Sequence, residues 1–179
     1  TPEVNDVALL AANLFTGGQE TTVRLLSFAL RALGERPDIQ ERLRNDRDRI
    51  PNFIEETLRF ESPLRAQFRM AKVTTEVAGV HVPAGSTMLL LPGAANRDPR
   101  LFENPTEFDI DRPNARYHLA FGHGIHQCLG QQLARLEMSV ALPALLQRFP
   151  TLSLAASEAD LTFRADGPVN GIRALPVRW

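Results

Sequence analysis

Cysteine is nearly missing from this sequence of 179 residues: there is one, Cys128, so no disulfide can close within the chain. An excess of either charge is missing too. The 20 Lys and Arg residues against 21 Asp and Glu leave a formal net charge of −1 with no block of like charge. That excludes the basic patch which binding to nucleic-acid phosphates requires. No apolar run approaches the roughly 20 residues of a membrane span. Neither end reads as a signal peptide or a lipidation motif, and with the lone thiol this sets the expectation of a reducing cytoplasm. Internal repeats and low-complexity tracts are absent. What is present is an ordinary globular composition, 44% apolar and 23% charged, with material for one sizeable core and thus for a single unit over residues 1–179. Thr1-Pro2-Glu3 reads as a helix N-terminus that opens at once, as if the chain were cut from something longer.

The single cysteine organises the chain. It stands in Phe121 to Gly130, FGHGIHQCLG, between glycines at the start of a predicted helix, and Leu129, Leu133, Leu136 and Val140 then recur at helical spacing. At a helix N-terminus the unpaired N–H groups and the positive end of the macrodipole favour the thiolate, the form that ligates metal. Gly124 and Gly130 let backbone and a flat ligand approach closely. A lone buried cysteine is otherwise an inert small hydrophobe.

Upstream, Val7, Leu10, Ala11, Leu14, Leu25, Ala29 and Leu33 fall on one stripe, which predicts a long buried helix from Val4 to about Gly34. The stripe has a notch at Gly17, Gly18, Thr21 and Thr22. Two interior glycines cost about 1 kcal/mol each relative to alanine. Either another helix packs closely there, or the glycines open room over a ligand while Thr21 supplies a hydroxyl. Glu20 points away from the notch. Short helices are expected over Pro37 to Asn45 and Arg49 to Phe60. The second carries Glu56 and Arg59 at i, i+3, which taken alone is a solvated pair worth under about 1 kcal/mol. From Arg69 to Leu91 the period changes to two around the turns Ala78-Gly79 and Pro83 to Ser86, giving short hairpin strands. Pro92 to Asn114 reads as an irregular, proline-punctuated meander. Leu152 to Leu154, Leu161 to Phe163 and Ile172 to Val177 alternate as edge strands around Asp166-Gly167-Pro168. Pro143 should break a hydrogen bond inside the cysteine helix at about 3 kcal/mol unless a kink is accommodated there.

Several of these stretches share one likeness. FGHGIHQCLG resembles the haem-ligand loop of the cytochrome P450 family, Phe-x-x-Gly-x-(His or Arg)-x-Cys-x-Gly. GGQETT, Gly17 to Thr22, is similar to that family's distal helix motif, ETLR to its Glu-x-x-Arg motif, and FDIDR, AANRDP and FRMAKVTTEVAGVHVPAGS to further segments of bacterial members. The resemblance covers the whole chain in the family's motif order. It implies a mainly α fold with small antiparallel β-sheets: the C-terminal part of the cytochrome P450 fold, with the N-terminal half absent. By the same resemblance Cys128 is the proximal thiolate ligand of haem b, and thiolate ligation favours O–O cleavage. Gly17, Gly18, Phe121, Gly124 and Gly130 surround the cofactor, and Arg69, His118 and His126 reach its propionates. Glu20 and Thr21 are implied as the acid and alcohol that deliver protons to bound dioxygen. Glu56, Arg59 and Arg112 are implied as a buried charge network that fixes the cysteine loop.

The reaction implied for the intact protein is monooxygenation of a small apolar substrate, with electrons from a ferredoxin and its reductase, and with neither nucleic acid nor membrane as partner. The pocket would be lined near Leu10 to Thr16, Leu64 to Phe68 and Pro168-Val169. Two other readings stand beside it. One is a truncated, catalytically incompetent haem-binding module, completed by the missing half or another chain. The other is a structural zinc site from His118, His123, His126 and Cys128, whose spacing lacks the paired arrangement of zinc modules.

Overall fold

The computed structural model describes residues 2–163, 167 and 169–179. Helix α1 spans Val4–Glu35, α2 Pro37–Asn45 and α3 Ile50–Phe60. Prolines at the first turns of α2 and α3 suit helix starts, because the N–H they lack would have no partner there. Four strands follow, β1 Gln67–Met70, β2 Thr75–Val77, β3 Val80–Val82 and β4 Thr87–Leu90. They pair antiparallel as β1 with β4 and β2 with β3, so one hairpin is nested inside another. Ala78 (φ 48°) and Gly79 (φ 82°) both take the left-handed region that a tight two-residue hairpin demands. A short helix α4, Pro92–Ala95, opens the meander, and α5, Gln131–Arg148, follows the cysteine loop. Strands β5, Ser153–Leu154, and β6, Val177–Arg178, close the chain as a two-stranded ribbon.

The core sits where α1, α2, α3 and α5 meet. Leu25, Ala29 and Leu33 of α1, Leu43 of α2, Phe53, Ile54 and Leu58 of α3, and Met138, Leu142 and Leu146 of α5 are buried there together. Close packing of such side chains, at about 1.5–3 kcal/mol for each fully buried one, holds the four helices. Mainly helical architecture with small antiparallel sheets is therefore what the structure has.

Four local expectations meet a different outcome. Helix α1 is buried only from Leu25 onward: Val7, Leu10 and Leu14 on its first half are 53–60% exposed. The stripe Leu129, Leu133, Leu136 and Val140 also faces outward, and the core-facing residues of α5 are Met138, Leu142 and Leu146. Pro143 does not end α5, which continues to Arg148. Pro143 withholds a donor from the carbonyl of Ser139, which lies on the exposed side where solvent can take it. Near the C-terminus, among the described residues, Leu161 to Phe163 and Ile172 to Val177 meet at a bridge between Phe163 and Ile172, while Val177 pairs with Leu154 instead. Of the expected tip, Asp166 and Pro168 lie outside the described residues.

Candidate functional site

One apolar cavity brings together residues from opposite ends of the chain. Gly17, Thr21, Thr22 and Leu25 of α1 form one wall, Pro63, Leu64 and Gln67 a second, and Phe121, His126 and Cys128 of the cysteine loop a third. The notch in α1 opens toward this space: a Cβ added at Gly17 or Gly18 would meet nothing within 4 Å. Gly17 lines the cavity; Gly18 is not among the residues that do. The hydroxyl of Thr21 donates to the Gly17 carbonyl at 2.7 Å, which fixes its rotamer against the helix and leaves its lone pairs free to accept. Glu20 stays off the cavity wall. Its carboxylate accepts from Arg24 at 3.2 Å, and Arg24 in turn donates to the Ile172 carbonyl at 3.1 Å.

The loop that carries Cys128 is shaped by its glycines. Gly122 (φ 72°) and Gly124 (φ 76°) occupy the left-handed region, a conformation costly for other residues. A 3₁₀ turn over Gly124–His126 leads to the cysteine, whose amide donates to the Phe121 carbonyl at 2.8 Å and closes the loop. Gly130 is the N-cap residue of α5, so Cys128 stands two residues ahead of it, exposed and unpaired. His126 is also exposed on the cavity side. Among the described residues no three His, Cys, Asp or Glu side chains are gathered to hold a metal ion, so the four residues of the zinc reading do not converge.

Behind the loop lies a fully buried charge cluster. Glu56 and Arg59 are both 0% exposed, with Arg59 donating from Nε and Nη2 to the carboxylate at 2.7 and 2.8 Å. Arg112 donates from Nε to both Glu56 oxygens at 3.2 Å. The remaining guanidinium donors are satisfied by meander carbonyls: Asn96, Pro105 and Glu107 for Arg59, and Glu103, Asn104 and Glu107 for Arg112. Asn96, buried completely, then reaches the far side: its Oδ1 accepts the Leu119 amide at 2.6 Å at the start of the cysteine loop. Buried charges survive only when paired and hydrogen-bonded in this way.

The chain matches the family model described as Cytochrome P450 over residues 2–164. It is a member of the cytochrome P450 family. Cytochrome P450 107B1 of Saccharopolyspora erythraea is 45% identical over 166 residues, 92% of this chain and 41% of that protein. The 6-deoxyerythronolide B hydroxylase of the same organism is 42% identical over 176 residues, 98% of this chain and 43% of that protein. Among solved structures, the substrate-free cytochrome P450 CYP150A6 of Mycobacterium marinum superposes with a TM-score of 0.93 at 46% identity, over 99% of this chain and 45% of that one. The chain thus spans about two fifths of the length of the curated P450 relatives it matches.

Placed on the P450 framework, the residues expected around the cofactor divide. Gly17, Thr21, Phe121, His126 and Cys128 share the cavity; Gly124 and Gly130 shape the loop behind it. Arg69 is exposed on β1, where it donates to Gln67 Oε1 at 2.9 Å and to the Phe68 carbonyl at 2.8 Å, off the cavity wall. His118 is buried, with both ring nitrogens engaged: Nε2 with Glu55 at 3.1 Å, and Nδ1 accepting the Ala120 amide at 3.1 Å. Sequence reasoning overlooked Glu55, Arg135 and Asn96. Glu55 is the neighbour of the motif glutamate, and that adjacency was the one available signal.

Proposed function

We propose that the chain is the haem-binding portion of a haem-thiolate monooxygenase, in which the Cys128 sulfur would hold the iron of haem b. One observation carries the reading. The only thiol of the chain shares an apolar cavity with the glycine notch and hydroxyl of α1, more than a hundred residues away in sequence. The donor set suits the group: a soft thiolate for iron, apolar walls for a porphyrin, and a notch that no Cβ fills. When bound, haem supplies the redox chemistry by which one atom of O₂ enters a C–H bond or π-bond and the other leaves as water.

The residues of the chain do the rest. Cys128 provides the anionic sulfur. His126 and Arg69 offer donors for carboxylates at the rim, Arg69 after leaving its present bonds to β1. Gly17 and Gly18 keep α1 from crowding the cofactor, and Thr21 presents an oxygen that can accept a proton-carrying water. Glu20 stands outside the cavity, where it suits relay of protons from solvent more than contact with dioxygen. Glu56, Arg59 and Arg112 hold the meander, and through Asn96 the base of the loop. The substrate is a small apolar molecule, since the walls at Leu25, Leu58, Pro63 and Leu64 offer little polarity. Ferredoxin and its reductase are the proposed electron donors. A cytoplasmic setting is proposed too: among the described residues no helix is long and apolar enough to cross a membrane.

Cys128→Ser should abolish the red-shifted thiolate band of the reduced carbon monoxide complex; retention of that band in the variant refutes the ligand assignment. Thr21→Ala should keep haem bound and divert electrons from product to peroxide or water. Metal analysis separates iron from zinc directly. A second reading, a haem-binding module without turnover, is favoured by one fact: the chain spans about two fifths of its relatives. Product formation with hydrogen peroxide as oxidant distinguishes the two.

A further inference from the structure

We propose that Glu55, acting through His118 and Arg135, is the clamp that holds the Cys128 loop shut, which makes it a positioning residue for the thiolate. The inference rests on the reading of Cys128 as an iron ligand, and it gives His118 a task other than contact with a propionate.

Glu55 lies on α3 with its side chain 13% exposed. Arg135 of α5 grips it with two bonds, Nε to Oε1 at 2.6 Å and Nη2 to Oε2 at 3.0 Å. His118 Nε2 meets Oε2 at 3.1 Å. Because the Ala120 amide donates to Nδ1 of the same ring, that nitrogen carries the lone pair, and Nε2 bears the hydrogen given to Glu55. His118 stands ten residues before Cys128 and Arg135 seven after it. One carboxylate therefore ties both stems of the loop to α3.

The clamp also reaches the loop's closing bond. The Arg135 guanidinium carbon lies 4.6 Å from the centre of the Phe121 ring, a cation–π contact, and the Phe121 carbonyl is the acceptor of the Cys128 amide. Fork-to-carboxylate bonding fixes orientation as well as distance, so the carboxylate sets where the cation lies on the ring. Glu56, one residue on, serves the meander instead; the two acids divide the surroundings of the loop between them.

The test uses Glu55→Gln and Arg135→Lys in the full chain. Glutamine keeps the shape of residue 55 and an acceptor for His118 but loses the charge that chelates Arg135. Lysine keeps the charge over Phe121 but loses the fork. In both variants the Cys128 amide should exchange with deuterium about tenfold faster, while the amides of Leu58, Met138 and Leu142 keep their rates. With haemin bound, the reduced carbonyl complex should also lose its thiolate band about tenfold faster on warming. If Glu55→Gln fails to fold, Arg135→Lys decides by the same two readouts. A Cys128 amide that exchanges at the wild-type rate overturns the clamp. Should haemin bind the wild type through a nitrogen, the ligand reading falls, and the exchange measurement still judges the clamp by itself.

Discussion

Residue 171 has no room for a side chain. A Cβ there would stand 2.2 Å from Cδ and 2.5 Å from Nε of Arg24, the residue that links Glu20 to the Ile172 carbonyl. Gly171→Ala should therefore displace the flexible end of Arg24 and break its bonds to Glu20 and the Ile172 carbonyl, costing about 1 kcal/mol, read as a lower denaturant midpoint at unchanged slope. Glu55 makes a second prediction at this scale. Burial alone raises its pKa, but hydrogen bonds from His118 and Arg135, with the Arg135 charge, outweigh that and hold it down at about 2, against 4.5 for the ordinary group. A carboxyl whose folded value is depressed contributes stability above its unfolded pKa. That contribution, at most about 3 kcal/mol, is lost as pH falls from 4.5 toward 2. Glu55→Gln should flatten the acid limb of stability against pH, and an unchanged limb counts against the assignment. That Cys128, Gly17 and Thr21 lie around one cavity was legible because fixed spacing marks them. Glu55 and Arg135 were not, since a pair 80 residues apart leaves no periodic trace.

At the level of elements, the charge cluster joins α3 to the meander, and its loss should be felt as a change in the whole fold. Glu56→Gln leaves Arg59 and Arg112 buried without a counterion, which should cost about 3–5 kcal/mol. Thermal unfolding should move down by roughly 6–20 °C for a chain of this length, as calorimetry can measure. The pair Glu56 and Arg59 taken alone reads as a surface contact, because helical spacing shows that two side chains are neighbours and says nothing of what covers them. Helix α5 shows the same limit. Leu133, Leu136 and Val140 point out while Met138, Leu142 and Leu146 point in, so the helix is apolar on two sides. Period analysis finds such a face but cannot rank two. The short helices α2 and α3 and the strands from Thr75 to Leu90 were legible to within a residue or two, because prolines, glycines and period-two runs mark their ends locally; the pairing of β1 with β4 that nests one hairpin in the other was not.

For the whole molecule, the outward residues matter together. Val7, Leu10, Leu14 and Phe15 of α1 and Leu129, Leu133, Leu136 and Val140 are all more than half exposed. Apolar surface of that extent is uncommon on a monomeric soluble protein. The 179-residue chain alone should self-associate at micromolar concentration and bind a hydrophobic dye; sedimentation as a monomer with cooperative unfolding would speak against this. A different consequence follows from the two consecutive acids on α3. Successive side chains on a helix point about 100° apart, so Glu55 and Glu56 aim at separate sets of cations from one rod. Adding or deleting a single residue ahead of them within α3 would swing each acid out of reach of its own arginines, however good the altered sequence remained as a helix. The helix can vary in letters on its outer side, but its length is locked.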